Sequence, residues 1–308
     1  MIISASRRTD IPNYYSRWFY NRIKEGFLCV RNPMNLRQVS KISLSPEVID
    51  CIVFWTKNPE PMIPGLDMLS LYHYYFQFTL TGYGKDIEPG VPHKKEKMLS
   101  VFQKLSQTIG SQRVIWRYDP ILFTDRYTPD YHLRAFEQIA SSLKGYTRRC
   151  VISFVDTYTK NKKALRQLHT YDLKEARLLE FAKVLADIAG INGMSVGSCG
   201  EAADLSCCGI EHNCCIDRML IEEICGYKIK GRKDKNQRQE CGCMESLDIG
   251  AYDTCKNGCL YCYANYSRER VNRSCMLCDP DSPLLCGTLE AEDQVRDRPI
   301  KPVSVHSE

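Results

Sequence analysis

Six short runs rich in β-branched and aromatic residues punctuate the first two-thirds of this chain, and each ends in a polar cluster: IISASRRTD (2–10), CIVFWTKNP (51–59), YYFQFTLTGY (74–83), RVIWRYDPIL (113–122), CVISFVDTY (150–158) and MSVGSCGE (194–201). Stretches of helical spacing separate them, at residues 14–25, 94–108, 130–143 and 172–188. The last carries Leu178, Phe181, Val184, Leu185 and Ile188 at the interval of one buried helical stripe. A period of two alternating with a period near 3.6, at this spacing, predicts parallel βα units. A seventh run, SLDIGAY (246–252), follows a helical segment at 216–225 and a basic linker, KIKGRKDKNQRQ (228–239). The expectation is an α/β fold in which parallel (β/α) units build a partial or full TIM-like barrel. Residues 1–286 form that domain, with a cysteine-rich part at 199–286, and the charged segment 287–308 is expected to be loosely ordered.

In barrels of this kind, chemistry gathers at the C-terminal ends of the strands. Here those ends carry Arg7, Arg8 and Asp10, then Trp55, Thr56 and Lys57, then Gln77 and Thr79, Arg117 and Asp119, Asp156, and Cys199 and Glu201. Arg7, Arg8, Lys57 and Arg117 suit an anionic substrate, because guanidinium forks match phosphate and carboxylate. Asp10, Asp119 and Glu201 are candidates for proton transfer or substrate hydrogen bonds. The competing interpretation is a set of salt bridges closing the mouth of the sheet.

Cysteine usage narrows the chemistry further. There are 17 cysteines in 308 residues, and only Cys29, Cys51 and Cys150 precede Cys199. An odd count with adjacent pairs at Cys207–Cys208 and Cys214–Cys215 fits a disulfide scaffold poorly. No run reaches 18 apolar residues, and MIISASRRTDIP lacks the layout of a secretion signal, so a cytoplasmic protein with no membrane span is expected. Crowded thiols in a reducing compartment are metal ligands or catalytic groups more often than bridges. The net charge of +5 permits nucleic acid or an anionic substrate without arguing for either.

The seventh run leads into TCKNGCLYCYAN, which sets Cys255, Cys259 and Cys262 at C-x-x-x-C-x-x-C. Three thiolates on one loop after a strand can hold three irons of a [4Fe–4S] cluster and leave the fourth open. CKNGCLYCYAN resembles the signature of the radical S-adenosylmethionine (radical SAM) superfamily, and most of all members related to spore photoproduct lyase. That resemblance implies a (β/α)6 or fuller barrel. It implies Cys255, Cys259 and Cys262 as cluster ligands, S-adenosylmethionine as cofactor, Tyr261 near the adenine, and an electron donor such as a ferredoxin or flavodoxin. In most of that superfamily the loop follows the first strand, whereas here it follows the last, as circular permutation would place it. The superfamily's Gly-Gly-Glu-Pro-like segment is not evident; at the permuted position stands SASRRTD, where Ser4, Ser6 or backbone carbonyls take its place. Most of the chain also resembles an uncharacterised bacterial family with a C-terminal radical-SAM-like cysteine cluster, through SASRRTDIP, FWTKNP, FQFTLTGYG, WRYDP and KDKNQRQECGC.

Two further cysteine groups stand apart from that loop. Cys199, Cys215, Cys241 and Cys243, brought together by folding, supply four sulfurs for a second cluster or a zinc ion, with Cys207, Cys208 and Cys214 as competitors. Cys275-x-x-Cys278 with Cys286 is a partial ligand set. The plain alternative for both is buried thiols acting as small apolar groups. The six histidines show no H-x-x-x-H spacing, and no phosphate loop or nucleophile elbow is present. The leading expectation is therefore an iron–sulfur enzyme of radical-SAM-like type. Its alternatives are a non-radical metal or redox enzyme on the same barrel, or a zinc- or cluster-bearing nucleic-acid-binding protein using the basic 228–239 stretch.

Overall fold

All seven runs become strands. The computed structural model describes residues 1–300. In chain order the strands are β1 (Ile2–Ala5), β2 (Phe27–Asn32), β3 (Asn35–Ser43), β4 (Cys51–Thr56), β5 (Tyr74–Thr79), β6 (Val114–Ile121), β7 (Arg149–Phe154), β8 (Ser195–Ser198), β9 (Glu211–His212), β10 (Leu247–Asp248) and β11 (Gln294–Asp297). The helices are α1 (Ile11–Tyr14), α2 (Ser16–Glu25), α3 (Leu99–Ile109), α4 (Pro129–Ser142), α5 (Lys162–Gln167), α6 (Glu175–Ile191), α7 (Arg218–Cys225) and α8 (Arg268–Met276). Local chemistry sets several ends. The Thr128 hydroxyl caps α4 by accepting from Tyr131 N, with Pro129 at the first turn, and the Asp217 carboxylate caps α7 by accepting from Met219 N and Leu220 N.

The main sheet has eight strands in the order β10-β1-β4-β5-β6-β7-β8-β9, and every pairing is parallel. The last strand of the sheet in the sequence, β10, thus lies beside the first: Ile3 pairs with Leu247 and Ser4 with Asp248. The sheet is open, so the partial or full TIM-like barrel expected from the sequence is not what forms; the parallel α/β sheet is. Its edge strands β9 and β10 are two residues long, too short to exchange a ladder, and the chain between them serves as a cover.

Both faces of the sheet are buried, as a parallel sheet requires. Alternate residues separate them. Ile3, Ile52, Phe54, Phe76, Trp116 and Ile152 face one core shared with Phe19, Phe102, Phe136 and Phe181 on the helices. Ile2, Val53, Tyr75, Ile115 and Val151 face a second core, filled by Ile216, Leu220, Ile221, Ile229 and Met244 from residues 215–244. Two steps along each strand on that second face bring Ser4, Trp55, Gln77, Arg117 and Ser153. The second face is therefore apolar at one end and polar at the C-terminal end.

A smaller sheet was not foreseen. The β2–β3 hairpin is antiparallel, and β11 pairs parallel with β3. Cys29 N donates to Pro283 O at 2.8 Å, and the Arg31 guanidinium pairs with Asp293, so residues beyond the cysteine loop tie back to the hairpin. Residues 294–297 of the segment expected to be loosely ordered are therefore a strand, while 301–308 lie outside the described residues. No helix among the described residues is long and apolar enough to cross a membrane.

Candidate functional site

The loop carrying Cys255, Cys259 and Cys262 crosses the C-terminal ends of the main strands and is pinned along its length. Tyr15 OH donates to Thr254 O at 2.6 Å, and Tyr14 OH to Asn257 Oδ1 at 2.8 Å. Gly90 N donates to Asn257 O at 2.8 Å, and Leu260 N to Ile87 O at 3.0 Å. Asn161 Nδ2 donates to Tyr261 O at 3.0 Å, and Tyr263 OH to Arg7 O at 2.8 Å. Gly90 is forced by this approach: a Cβ there would lie 2.6 Å from Lys256 O and 2.7 Å from Asn257 Cα, both backbone atoms. The three thiols are half-buried. Burial raises the pKa of Cys255, and Asp10, Cys262 and Cys259 add to that rise as negative neighbours. Burial likewise pushes Cys259 up to about 12, against the pull of the Lys57 ammonium.

The candidate site residues from the sequence fall into three groups. The first builds the scaffold. Asp10 is 5% exposed, and its carboxylate accepts from Lys57 N, Asn257 Nδ2 and Asn13 N, which joins β1, β4 and the cysteine loop. Burial raises its pKa despite those bonds. Ser4 and Ser6 both donate to Asp248 on β10, at 3.0 and 2.6 Å, and Arg7 N donates to the same carboxylate at 2.9 Å. Their hydroxyls are thus directed at a neighbouring strand. Tyr261 is 8% exposed, packed against Tyr83 with ring centroids 6.0 Å apart, and its hydroxyl donates to Glu88.

The second group is charged and internally paired. Lys57 Nζ donates to Glu88 Oε1 and Tyr261 OH, each at 2.8 Å. Lys94 reaches the other oxygen of the same carboxylate, and Thr81 Oγ1 donates to it at 3.0 Å. Burial opposes the Glu88 charge, but the two lysines outweigh it and hold the pKa at about 2. Burial also works against both cations; Glu88 and Cys259 lift Lys57 above its ordinary value, whereas Lys94 stays below. Arg117 pairs with Asp119, which also accepts from Ser153 Oγ. Glu201 Oε1 accepts from Phe154 N at 2.8 Å, and burial pushes its pKa up to about 7.

The third group keeps its charge available. Arg7 and Arg8 form no ion pair among the described residues. Arg7 stacks over Trp55 at 5.0 Å, and its Nη2 is buried without a hydrogen-bond partner; Arg8 stacks over Tyr252 at 4.9 Å. Of the four cations proposed for an anion clamp, Lys57 and Arg117 are thus engaged by carboxylates, and Arg7 is the one with an unspent buried donor. Asp156 pairs with Arg238 and takes part of the charge of the basic stretch.

Sequence reasoning missed Glu88, Lys94, Asp248 and Asn257. Glu88 lies in the loop after β5, and Lys94 opens the short helical segment Lys94–Met98 that leads into α3, with no motif around either. A cavity of about 480 Å³ beside Asn21, Lys24, Phe27 and Pro283 holds none of these groups. Among the described residues, no three His, Cys, Asp or Glu side chains are gathered around a common metal position. The donor set of the loop nevertheless suits a thiolate-bound group: three sulfurs on one short, pinned loop, mutually repelling as anions, with a lysine beside Cys259.

Fold and site together define an α/β protein with an open, all-parallel sheet whose strand ends are roofed by a three-cysteine loop. Residues 2–264 match the family model described as a domain of unknown function, DUF1848, and the chain belongs to that family. No curated protein matches the chain in sequence.

Proposed function

We propose that this protein is an iron–sulfur enzyme of radical-SAM-like type, acting on an anionic substrate. The observation that supports it most is the placement of the Cys255, Cys259 and Cys262 loop over the C-terminal ends of parallel strands, beside Asp10 and Lys57. Under this proposal the open parallel sheet is permuted so that β10 precedes β1. A [4Fe–4S] cluster held by those three thiolates supplies, when bound, one electron for reductive cleavage of S-adenosylmethionine to a carbon radical.

The chain's own residues then have separable tasks. Asp10, Asn257 and Gly90 fix the loop. Glu88 anchors the Tyr261 ring, and with Tyr83 that ring excludes water from the loop's flank. Arg7 binds the substrate anion through its unpartnered Nη2, its plane set by Trp55. Asp119 stays ionised, because Arg117, Ser153 and Lys57 outweigh the burial that opposes its charge. Glu201, raised to about 7, is placed to give or take a proton near neutral pH.

The test is anaerobic purification with iron and sulfide analysis, and EPR of the reduced protein with and without S-adenosylmethionine. The proposal expects about four irons per chain, lost in Cys255→Ala, Cys259→Ala and Cys262→Ala. It also expects a signal that shifts with the cofactor, and formation of 5′-deoxyadenosine. A protein that binds no iron under these conditions, or whose iron survives all three substitutions, is not this enzyme.

A further inference from the structure

The second core of the sheet ends in sulfur. Cys199 lies just past β8, Cys215 just before α7, and Cys241 and Cys243 on a turn ahead of β10. Folding brings these three segments together. Cys199 Sγ and Cys215 Sγ are 3.1 Å apart, Cys243 Sγ accepts from Cys215 N, and Cys241 stands two residues from Cys243 on the same short stretch. Gly242 permits the turn to close: a Cβ there would meet Cys214 Sγ at 2.5 Å.

Two features separate this group from buried thiols acting as apolar filler. Nitrogen donors are aimed at the sulfurs: Arg117 Nη1 at Cys215 Sγ (2.8 Å), and Cys215 N and Ile216 N at Cys243 Sγ (3.2 and 3.4 Å). N–H groups directed at sulfur are the outer-shell partners that orient sulfur ligands on a metal. Positive charge is also in place, with Arg117 in contact with Cys215 and the Arg7 guanidinium within electrostatic reach of Cys243 and Cys215. Four thiolates around a divalent ion carry a net charge of about −2, which Arg117, shared with Asp119, offsets in part.

We propose that Cys199, Cys215, Cys241 and Cys243 form a tetrathiolate site for a single divalent ion of the zinc type, separate from the Cys255 loop. Cys199 and Cys215 are in sulfur contact, and the four sulfurs do not yet form a cage. Zinc–sulfur bonds of about 2.3 Å place tetrahedral sulfurs about 3.8 Å apart, so the Cys199–Cys215 pair, now at 3.1 Å, has to open by about 0.7 Å to take the ion. A four-iron cube needs far more room between its ligands than sulfurs in contact provide. With no open position, the site is structural. It staples the 215–244 cover to the end of β8, across the gap that keeps the sheet from closing. Arg117 then acts twice, on Cys215 and on Asp119, and couples the staple to the polar strand ends.

The experiment is metal analysis of the full chain expressed with zinc and iron, together with two variants: Cys255→Ala/Cys259→Ala/Cys262→Ala and Cys241→Ser/Cys243→Ser. The expected result is about one zinc per chain in the native protein and in the loop variant, and at least a fivefold loss in the Cys241/Cys243 variant. Zinc absorption-edge spectroscopy of the native protein, which does not depend on any variant folding, is expected to show sulfur-only ligation at about 2.3 Å. Zinc retained by the Cys241/Cys243 variant, nitrogen or oxygen ligands at the zinc, a Cys199–Cys215 disulfide in protein kept reduced, or iron with sulfide surviving in the loop variant each overturn it. Iron absent from the native protein with zinc present overturns the cluster at the loop and leaves this site standing.

Discussion

Glu88 is one buried carboxylate facing two ammonium groups and a phenol, at 1% side-chain exposure. Removing its charge strands Lys57 and Lys94 inside the protein, and an uncompensated buried charge costs about 3–5 kcal/mol. Glu88→Gln is therefore expected to lower stability by roughly that amount. Lys94→Met, which leaves one cation for one carboxylate, is expected to cost distinctly less. Urea unfolding of the two variants settles the order, and a Lys94 variant as unstable as the Glu88 variant rules this account out. The same logic explains why Arg7 is the better anion binder: no carboxylate pairs with it among the described residues, whereas Lys57 and Arg117 are already spent.

At the scale of elements, the cysteine loop is an appendage fitted onto the loops that follow β1 and β5. Its seat depends on close backbone approach at Gly90, and the atoms a side chain would strike there cannot rotate away. Gly90→Ala is expected to lift the loop at a cost of about 1–3 kcal/mol, with the sheet intact. The measurement is limited proteolysis: cleavage near Lys256 is expected to quicken several-fold while far-UV circular dichroism holds. Unchanged cleavage would mean that the Tyr14, Tyr15 and Asp10 contacts suffice without the Gly90 approach.

Across the whole molecule, stability is shared between two cores on opposite faces of one sheet, and acid tests the larger one. His132 on α4 is fully buried; one ring nitrogen hydrogen-bonds Tyr118 OH and the other Leu122 O. Burial drives its pKa down to about 4. Below about pH 6.5 the unfolded chain takes up a proton that the folded chain refuses until about pH 4. Its contribution is therefore complete above pH 6.5 and is lost as pH falls through that window, by about 2 kcal/mol at pH 5. Urea midpoints at pH 7 and pH 5 are expected to show this fall in the native protein and a smaller one in His132→Gln. Equal falls would assign the acid sensitivity elsewhere.

Periodicity alone identified seven of the eight strands of the main sheet, because the central ones had to be buried on both faces and so were written in apolar residues up to their polar ends; β9, two exposed residues at the edge, carried no such mark. The helix expected at 172–188 was legible through its apolar stripe and runs over Glu175–Ile191, with Phe181 and Leu185 buried but Val184 turned to solvent. Closure was not legible, since it depends on whether two-residue edges can exchange hydrogen bonds across a gap filled by residues 215–244. The β2–β3–β11 sheet was hidden as well: most of β3 is exposed, so no burial pattern marks it, and its partner arrives from the far end of the chain. Spacing singled out Cys255, Cys259 and Cys262, since they lie on one loop. The contact among Cys199, Cys215 and Cys243 and the knot at Glu88 join segments remote in sequence, and only the packing of strands side by side brings their side chains within reach.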